Sequence, residues 1–319
     1  MPVAVALIIR CFNEEAHIGR LLTGVMRQTR APDEIIVVDS GSTDATLSIA
    51  SAFDVKVIRI TPESFSFGYA LNVGIGASKA HLAVFASAHV YPVYDTWVER
   101  LVEPFDDPGV AISYGRQLTP PDGRFSEQRV LSQWFPAQST RRQRHPFCNN
   151  ANAAVRRSVW EERAYDEQLT GLEDLDWAKH AMDTGHSIAY VAEAPVVHVH
   201  DEPFSRVVNR YRREAIAHKD IYAEQDMSLP TAVRLAAINI FGDFREARRA
   251  GRLRDSVVDI PRFRTAQFLG SYQGFAQSGP VTEVLKRRFY YPSPNGAASG
   301  APYTDEVGRL IDYEAPLRS

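Results

Sequence analysis

The sequence is poor in cysteine: 319 residues carry two, Cys11 and Cys148. Two cysteines make no disulfide framework, so a reducing cytoplasm is the expected setting. Long apolar runs are missing, and nothing approaches the roughly 18 uncharged apolar residues of a membrane span. The opening run, residues 3–9, has no basic flank and no small-residue cleavage site, so no signal peptide is expected. These absences describe a soluble or peripheral protein. A basic excess is missing too. The formal net charge is -3, which argues against a nucleic-acid partner, because tracking a phosphate backbone takes surplus lysine and arginine. Two nucleotide signatures are absent: G-x-G-x-x-G after the first strand, and G-x-x-x-x-G-K-[ST] anywhere. A nucleotide, if one binds, is held by another route. Internal repeats are absent as well.

What is present is ordinary globular composition, 45% hydrophobic and 24% charged. That is enough for one large α/β domain with an appendage. Short apolar runs predict strands at 3–9, 34–39, 55–60, 81–87 and 110–115. Helical spacing appears between them, as in Ile18, Leu21, Leu22, Val25 and Met26. Strand–helix alternation of this kind predicts a mainly parallel sheet flanked by helices. Residues 116–146 break the rhythm, and only 130–135 read as helix there. Strands return at 151–155, 187–191 and 196–200, with a helix near 174–184. From residue 204 the chain reads as helical to about 291, with helices near 229–250 and 262–276. Proline and glycine crowd residues 292–319, which read as a poorly ordered tail.

In an open parallel sheet, ligands bind beyond the carboxyl ends of the strands. The first strand is followed by Arg10, Cys11, Phe12, Asn13, Glu14 and Glu15. The second ends on Asp39, which either accepts hydrogen bonds from a base or ribose or merely caps the next helix. The fourth ends in Ser87-Ala88-His89. This histidine is placed for a metal or a phosphate, or is a turn histidine bonded to backbone. Glu173, Asp174 and Asp176 crowd a helix start, where anions are favoured by the helix dipole in any case. His198 and His200, two residues apart on an alternating strand, face the same way. They share a metal, or one is a ligand and the other a core histidine. Arg141, Arg142 and Arg144 either close over phosphates or form a solvated charge run.

The order of these pieces along the chain carries a resemblance. IIRCFNEE (8–15), EIIVVDSGSTDAT (34–46), FSFGYALNVGIG (65–76), FASAHVYP (85–92), NNANAAVRRSVW (149–160), GLEDLDW (171–177) and VVHVHD (196–201) together resemble the inverting glycosyltransferase family 2. The likeness is to bacterial members that build surface polysaccharides and glycolipids. FLGSYQG (268–274) resembles the helical tail of rhamnosyltransferase-like members.

The resemblance implies a GT-A-type α/β fold. Residues 1–203 would be the catalytic domain, with a nucleotide-sugar half at about 1–115 and an acceptor half at about 116–203. It implies a nucleotide-diphosphate sugar donor, a saccharide or lipid-linked saccharide acceptor, and a divalent cation, Mn²⁺ or Mg²⁺. Arg10, Phe12, Asn13, Glu14, Asp39, Ser87, His89 and Asn150 would bind the nucleotide sugar. Asp174 would be the catalytic base and Glu173 would hold the acceptor. His89, His198 and His200 would supply the metal site.

One departure is plain: Ser87-Ala88-His89 stands where the family has D-x-D. His89 then either replaces the metal-binding aspartate, favouring Mn²⁺ over Mg²⁺, or faces the diphosphate as a cation with no metal. The departure also opens an alternative, a degenerate nucleotide-sugar-binding protein without turnover. A nucleotidyltransferase would show a basic, glycine-rich loop after the first strand, where this chain is acidic. Arginines from Arg206 to Arg254, interleaved with Val207, Tyr211, Leu235, Ile238 and Phe241, suggest peripheral contact with the inner face of a membrane. Otherwise these helices pack on the catalytic domain or join copies in a homo-oligomer.

Overall fold

The computed structural model describes residues 3–200, 202–277, 307–315 and 317. Eight strands among them form one sheet: β1 (Val5–Cys11), β2 (Glu34–Asp39), β3 (Lys56–Arg59), β4 (Leu82–Ser87), β5 (Val90–Pro92), β6 (Val110–Leu118), β7 (Asn152–Arg156) and β8 (Ser187–His198). Their order across the sheet is β3-β2-β1-β4-β7-β6-β8-β5. β1 to β4 are parallel, as the alternation predicts. β7 runs antiparallel between β4 and β6, so the sheet is mixed. The short β5 was not legible. It pairs antiparallel with the far end of β8. The two runs read at 187–191 and 196–200 are a single strand ending at His198.

The helices that precede β8 in the chain are α1 (Ile18–Val25), α2 (Thr46–Ala50), α3 (Phe67–Gly76), α4 (Trp97–Val102), α5 (Phe125–Trp134), α6 (Arg157–Glu162) and α7 (Glu173–Asp183). The first strand, VALIIRC, is buried on both faces because helices cover both. On one side α1 inserts Ile18, Leu21, Leu22 and Val25, all fully buried. On the other, α3 starts at Ser66, whose hydroxyl accepts from the Tyr69 N–H at 3.0 Å. Gly74 lets this helix lie directly on Ile8. α5 is longer than the helix read at 130–135, because polar residues in its first turn hide the periodicity.

Four further helices follow: α8 (Phe204–Ile221), α9 (Leu229–Arg249), α10 (Leu253–Ser256) and α11 (Asp259–Phe275). α8 and α11 approach closely because Gly270 and Gly274 have no side chain. A Cβ at either position would meet the backbone carbonyl of Val208 or Arg212 inside contact distance. Residues 278–306 lie outside the described residues, and with them the end of the helical region and most of the expected tail. Residues 307–315 correct that expectation. Leu310 bridges to Tyr94, the Ile311 N–H donates to the Val93 carbonyl at 3.1 Å, and Tyr313 donates to the Pro92 carbonyl. The segment covers the edge beside β5, with Arg20 lying 3.8 Å over the Tyr91 ring and 4.8 Å over that of Tyr313.

One buried ion pair ties this helical region to α5. Arg264 on α11 is 2% exposed and Asp243 on α9 is 1% exposed. They meet through two bonds, 2.7 and 3.1 Å. From α5, Ser126 donates to the same carboxylate at 2.5 Å and Arg129 stands 3.4 Å away. Asp243→Asn leaves a buried guanidinium without its counter-charge. It is expected to cost about 3–5 kcal/mol, read as a lower denaturant midpoint at unchanged slope.

Candidate active site

Two clusters stand at the carboxyl ends of the strands, with Arg10 between them. The first is the acid pair at the start of α7. Leu172 enters the helix in the left-handed region, φ 55°, and aims Glu173 and Asp174 back toward the sheet. Glu173 Oε1 accepts from Arg10 Nη1 at 3.1 Å and from Asn150 Nδ2 at 3.3 Å. Asp174 accepts from the Asn150 N–H at 3.2 Å and the Leu175 N–H at 2.8 Å. Burial pushes the Asp174 carboxyl up to about 7, and the Glu173 carboxylate beside it adds to the rise. A carboxyl so placed exchanges a proton near neutral pH, as a general base must.

The second cluster is His89, His198 and His200. β5 pairs Val90 with His198, and the Val199 N–H donates to the His89 carbonyl at 3.0 Å, which brings the three rings together. Ring centroids are 5.0 Å apart for His89 and His198 and 3.9 Å for His198 and His200. One ligand nitrogen from each ring lies within 4.8 Å of the others. Every Nδ1 is already engaged. That of His89 meets Glu14 Oε1 at 2.7 Å, that of His198 meets Gln117 Oε1 at 2.7 Å, and that of His200 meets Glu127 Oε1 at 2.9 Å.

These oxygens only accept, so the Nδ1 of His89 and that of His198 donate; the His200 Nδ1 also lies 3.2 Å from Arg210 Nη1, a group that only donates, so Glu127 and Arg210 compete for that nitrogen. The His198 Nε2 is buried with no partner. Burial drives the His198 pKa well below the ordinary value, and the neighbouring His200 and His89 lower it further, so it is a neutral imidazole. Burial works in the same direction at His89, but the Glu14 carboxylate outweighs it and the pKa is raised. Glu127 is held down to about 2: burial alone would raise it, and His200 and Arg210 more than reverse that.

Arg10 joins the two clusters. In register it lies opposite Ser87 on β4. Beside the larger effect of burial, its charge lowers the pKa of Asp174, His89 and His198 alike. Its guanidinium lies 5.0 Å from the Phe67 ring, and that of Arg213 from α8 lies 4.6 Å from the same ring.

Several residues read as nucleotide-sugar contacts sit differently. Asp39 is fully buried and accepts from the Gly41 and Ser42 N–H groups at 3.2 Å, so it holds the turn after β2. Its carboxylate has no open face for a base or ribose. Asn13, left-handed at φ 53°, accepts from the Thr43 N–H at 2.8 Å and stitches two loops together. Glu14 is turned to His89, and Asn150, 1% exposed, holds the acid pair. Phe12 and Ser87 are half-buried at the rim. Arg141, Arg142 and Arg144 are exposed, and Arg142 pairs with Asp107 at 2.7 Å, before the start of β6 and away from the site. Asp201 lies outside the described residues. Both cysteine thiols are buried and their pKa values raised, so neither is a nucleophile. Gln117 and Glu127 were missed, because a lone polar residue carries no pattern; Phe67 and Arg210 were seen within the 65–76 motif and the arginine series, but not as residues of this site.

The sheet order, with helices on both faces, is that of a GT-A-type α/β fold. Residues 6–163, about half of the chain, match the model of glycosyl transferase family 2. The chain carries a domain of that family and is a glycosyltransferase. The O-antigen chain rhamnosyltransferase RfbN of Salmonella typhimurium is 28% identical over 226 residues, 67% of this chain and 72% of that protein. The O-antigen chain rhamnosyltransferase WbaN of Salmonella anatum is 29% identical over 224 residues, 66% and 71% respectively. The mannosyltransferase PcManGT of Pyrobaculum calidifontis, solved in complex with GDP-Man and Mn²⁺, superposes with a TM-score of 0.55 at 16% identity, over 92% of this chain and 89% of that one. At that identity the likeness is one of fold.

Proposed function

We propose that the protein moves a sugar from a nucleotide-diphosphate donor to an acceptor hydroxyl with inversion, in the synthesis of a bacterial surface polysaccharide or glycolipid. The observation that carries the reading is the buried Asp174 carboxyl, raised to about 7 and held beside Glu173 and Arg10. The names of RfbN and WbaN support the polysaccharide setting.

Asp174 takes the proton of the acceptor hydroxyl. The acceptor oxygen attacks the anomeric carbon as its bond to the diphosphate breaks, and a single displacement inverts that carbon. Glu173, fixed by Arg10 and Asn150, holds an acceptor hydroxyl through its remaining lone pairs.

His89, His198 and His200 fit a divalent cation, because one nitrogen from each ring lies within 4.8 Å of the others and the His198 Nε2 is buried without a partner. Imidazole nitrogen favours Mn²⁺ over Mg²⁺. A cation bound there supplies positive charge against the departing diphosphate. The degenerate reading loses its ground if this cluster replaces the missing D-x-D, and turnover decides between the two.

A second reading concerns location. No helix among the described residues is long and apolar enough to cross a membrane. On α8, Arg210 turns inward to Glu127, and Arg212 turns inward to Gln277. The expected basic face of α8 is therefore spent on packing. α9 is different. Phe241 is 74% and Val233 61% exposed, with Val258 beside α10 at 72%. Exposed Arg234, Arg245 and Arg248 lie among them. We read this face as a peripheral contact with anionic headgroups, suited to a lipid-linked acceptor.

Three outcomes follow from these readings. Asp174→Asn is expected to abolish transfer while leaving donor affinity within a few-fold. In the wild type, kcat/KM should fall by about tenfold per pH unit below about 7, because only the ionised carboxylate accepts a proton. Near-normal turnover of the variant would remove Asp174 from the role. Exhaustive chelation should suppress turnover and Mn²⁺ restore it. Full activity after chelation would instead leave a protonated His89 facing the diphosphate. Co-sedimentation should be stronger with anionic than with neutral vesicles and weaken with salt, and Phe241→Ser should reduce it. Equal, negligible binding to both would leave α9 a structural or oligomerising role.

A further inference from the structure

Glu127 belongs to none of the motifs above. It sits in the first turn of α5, in the segment that breaks the sheet's rhythm, and its side chain is only 5% exposed. A buried carboxylate must be paired, and one oxygen, Oε1, takes both of its partners: His200 Nδ1 at 2.9 Å and Arg210 Nη2 at 3.0 Å. We infer that Glu127 is a positioning residue of the histidine cluster, acting through His200 to set how tightly the three rings hold a divalent cation. The inference rests on the cation reading given above.

The chemistry follows from the donor roles. An ionised carboxylate only accepts, so its 2.9 Å contact draws the proton to His200 Nδ1 and leaves the lone pair on Nε2, against the donor Arg210 Nη1 that stands 3.2 Å from the same Nδ1. Gln117 does the same for His198 with a neutral amide. Its own Nε2 donates to Asn149 at 2.9 Å, which turns Oε1 toward the ring. Glu127 therefore brings a charge to the cluster from a helix anchored elsewhere. Its neighbours in the sequence show where: Ser126 and Arg129 reach Asp243, which is locked to Arg264. Thus α5 connects the packing of α9 and α11 to the orientation of one ring. Arg210 does not depend on Glu127 alone, since its Nε also meets Glu202 at 3.1 Å. Loss of the Glu127 charge leaves that guanidinium paired.

The test is titration of the metal-free full chain with Mn²⁺, following the free ion by electron paramagnetic resonance, together with thermal unfolding of each variant. The wild type is expected to take up Mn²⁺, and Glu127→Gln to bind it about 10- to 100-fold more weakly. In a His200→Ala background the same change should have no further effect, because the route through His200 is gone. A merely structural Glu127 would lower the melting temperature and leave the affinity of the folded fraction unchanged. Glu127→Asp keeps a charge for Arg210 but draws it back from His200, so it also should weaken uptake, and it serves if the glutamine variant does not fold. Equal Mn²⁺ affinity in the wild type and the folded variant would overturn this inference and leave the cation reading standing. No uptake by the wild type would overturn both.

Discussion

The bond between Arg10 and Glu173 joins residues 163 positions apart, and the candidate site depends on it. Two adjacent carboxyls at one buried helix start would repel each other in like surroundings. Arg10 reaches Glu173, while Asp174 is met by backbone N–H groups. Neighbouring carboxyls thereby acquire unlike environments, which the roles proposed for Glu173 and Asp174 require. Arg10 can do this only because β1 lies beside β4 at the centre of the sheet, with both strands ending at the same edge.

The histidine cluster is an answer to a different problem. In this cluster the negative charge stands one bond further out than the rings. Glu14 and Glu127 carry it, and Gln117 leaves the middle ring uncharged. Arg10 and Arg210 balance this charge: after burial and the neighbouring rings, both lower the His198 pKa, and Arg210 pairs with Glu127. The ordering device is the short β5 strand: its pairing with β8 sets His89 against His198.

The parallel half of the sheet was legible because each of its strands is a continuous apolar run with a helical pattern after it. The acid pair and all three histidines were legible for a related reason, since each closes such a run or opens such a helix. Their partners were not. Gln117 lies within a strand and Glu127 within a polar first turn, and neither departs from what a strand or helix surface normally shows. Asp39 was visible, but its alternatives were not separable from sequence. A carboxylate that caps a turn and one that meets a ribose sit at the same place in the chain, and only complete burial distinguishes them. The proline- and glycine-rich composition near the end of the sequence misled for residues 307–315, whose order comes from partners far away: Val93, Tyr94 and Asp95.

That docking has a consequence for the order of assembly. The strand edge beside β5 is covered by residues more than 200 positions downstream, as the bond from the Arg309 N–H to Asp95 shows. A chain emerging from the ribosome can complete β1 to β4 early, but this edge stays open until those residues are made. An open strand edge is a template for pairing with other chains. The nascent chain therefore exposes a pairing-competent edge immediately next to the histidines, from the completion of β8 until residues 307–315 are made.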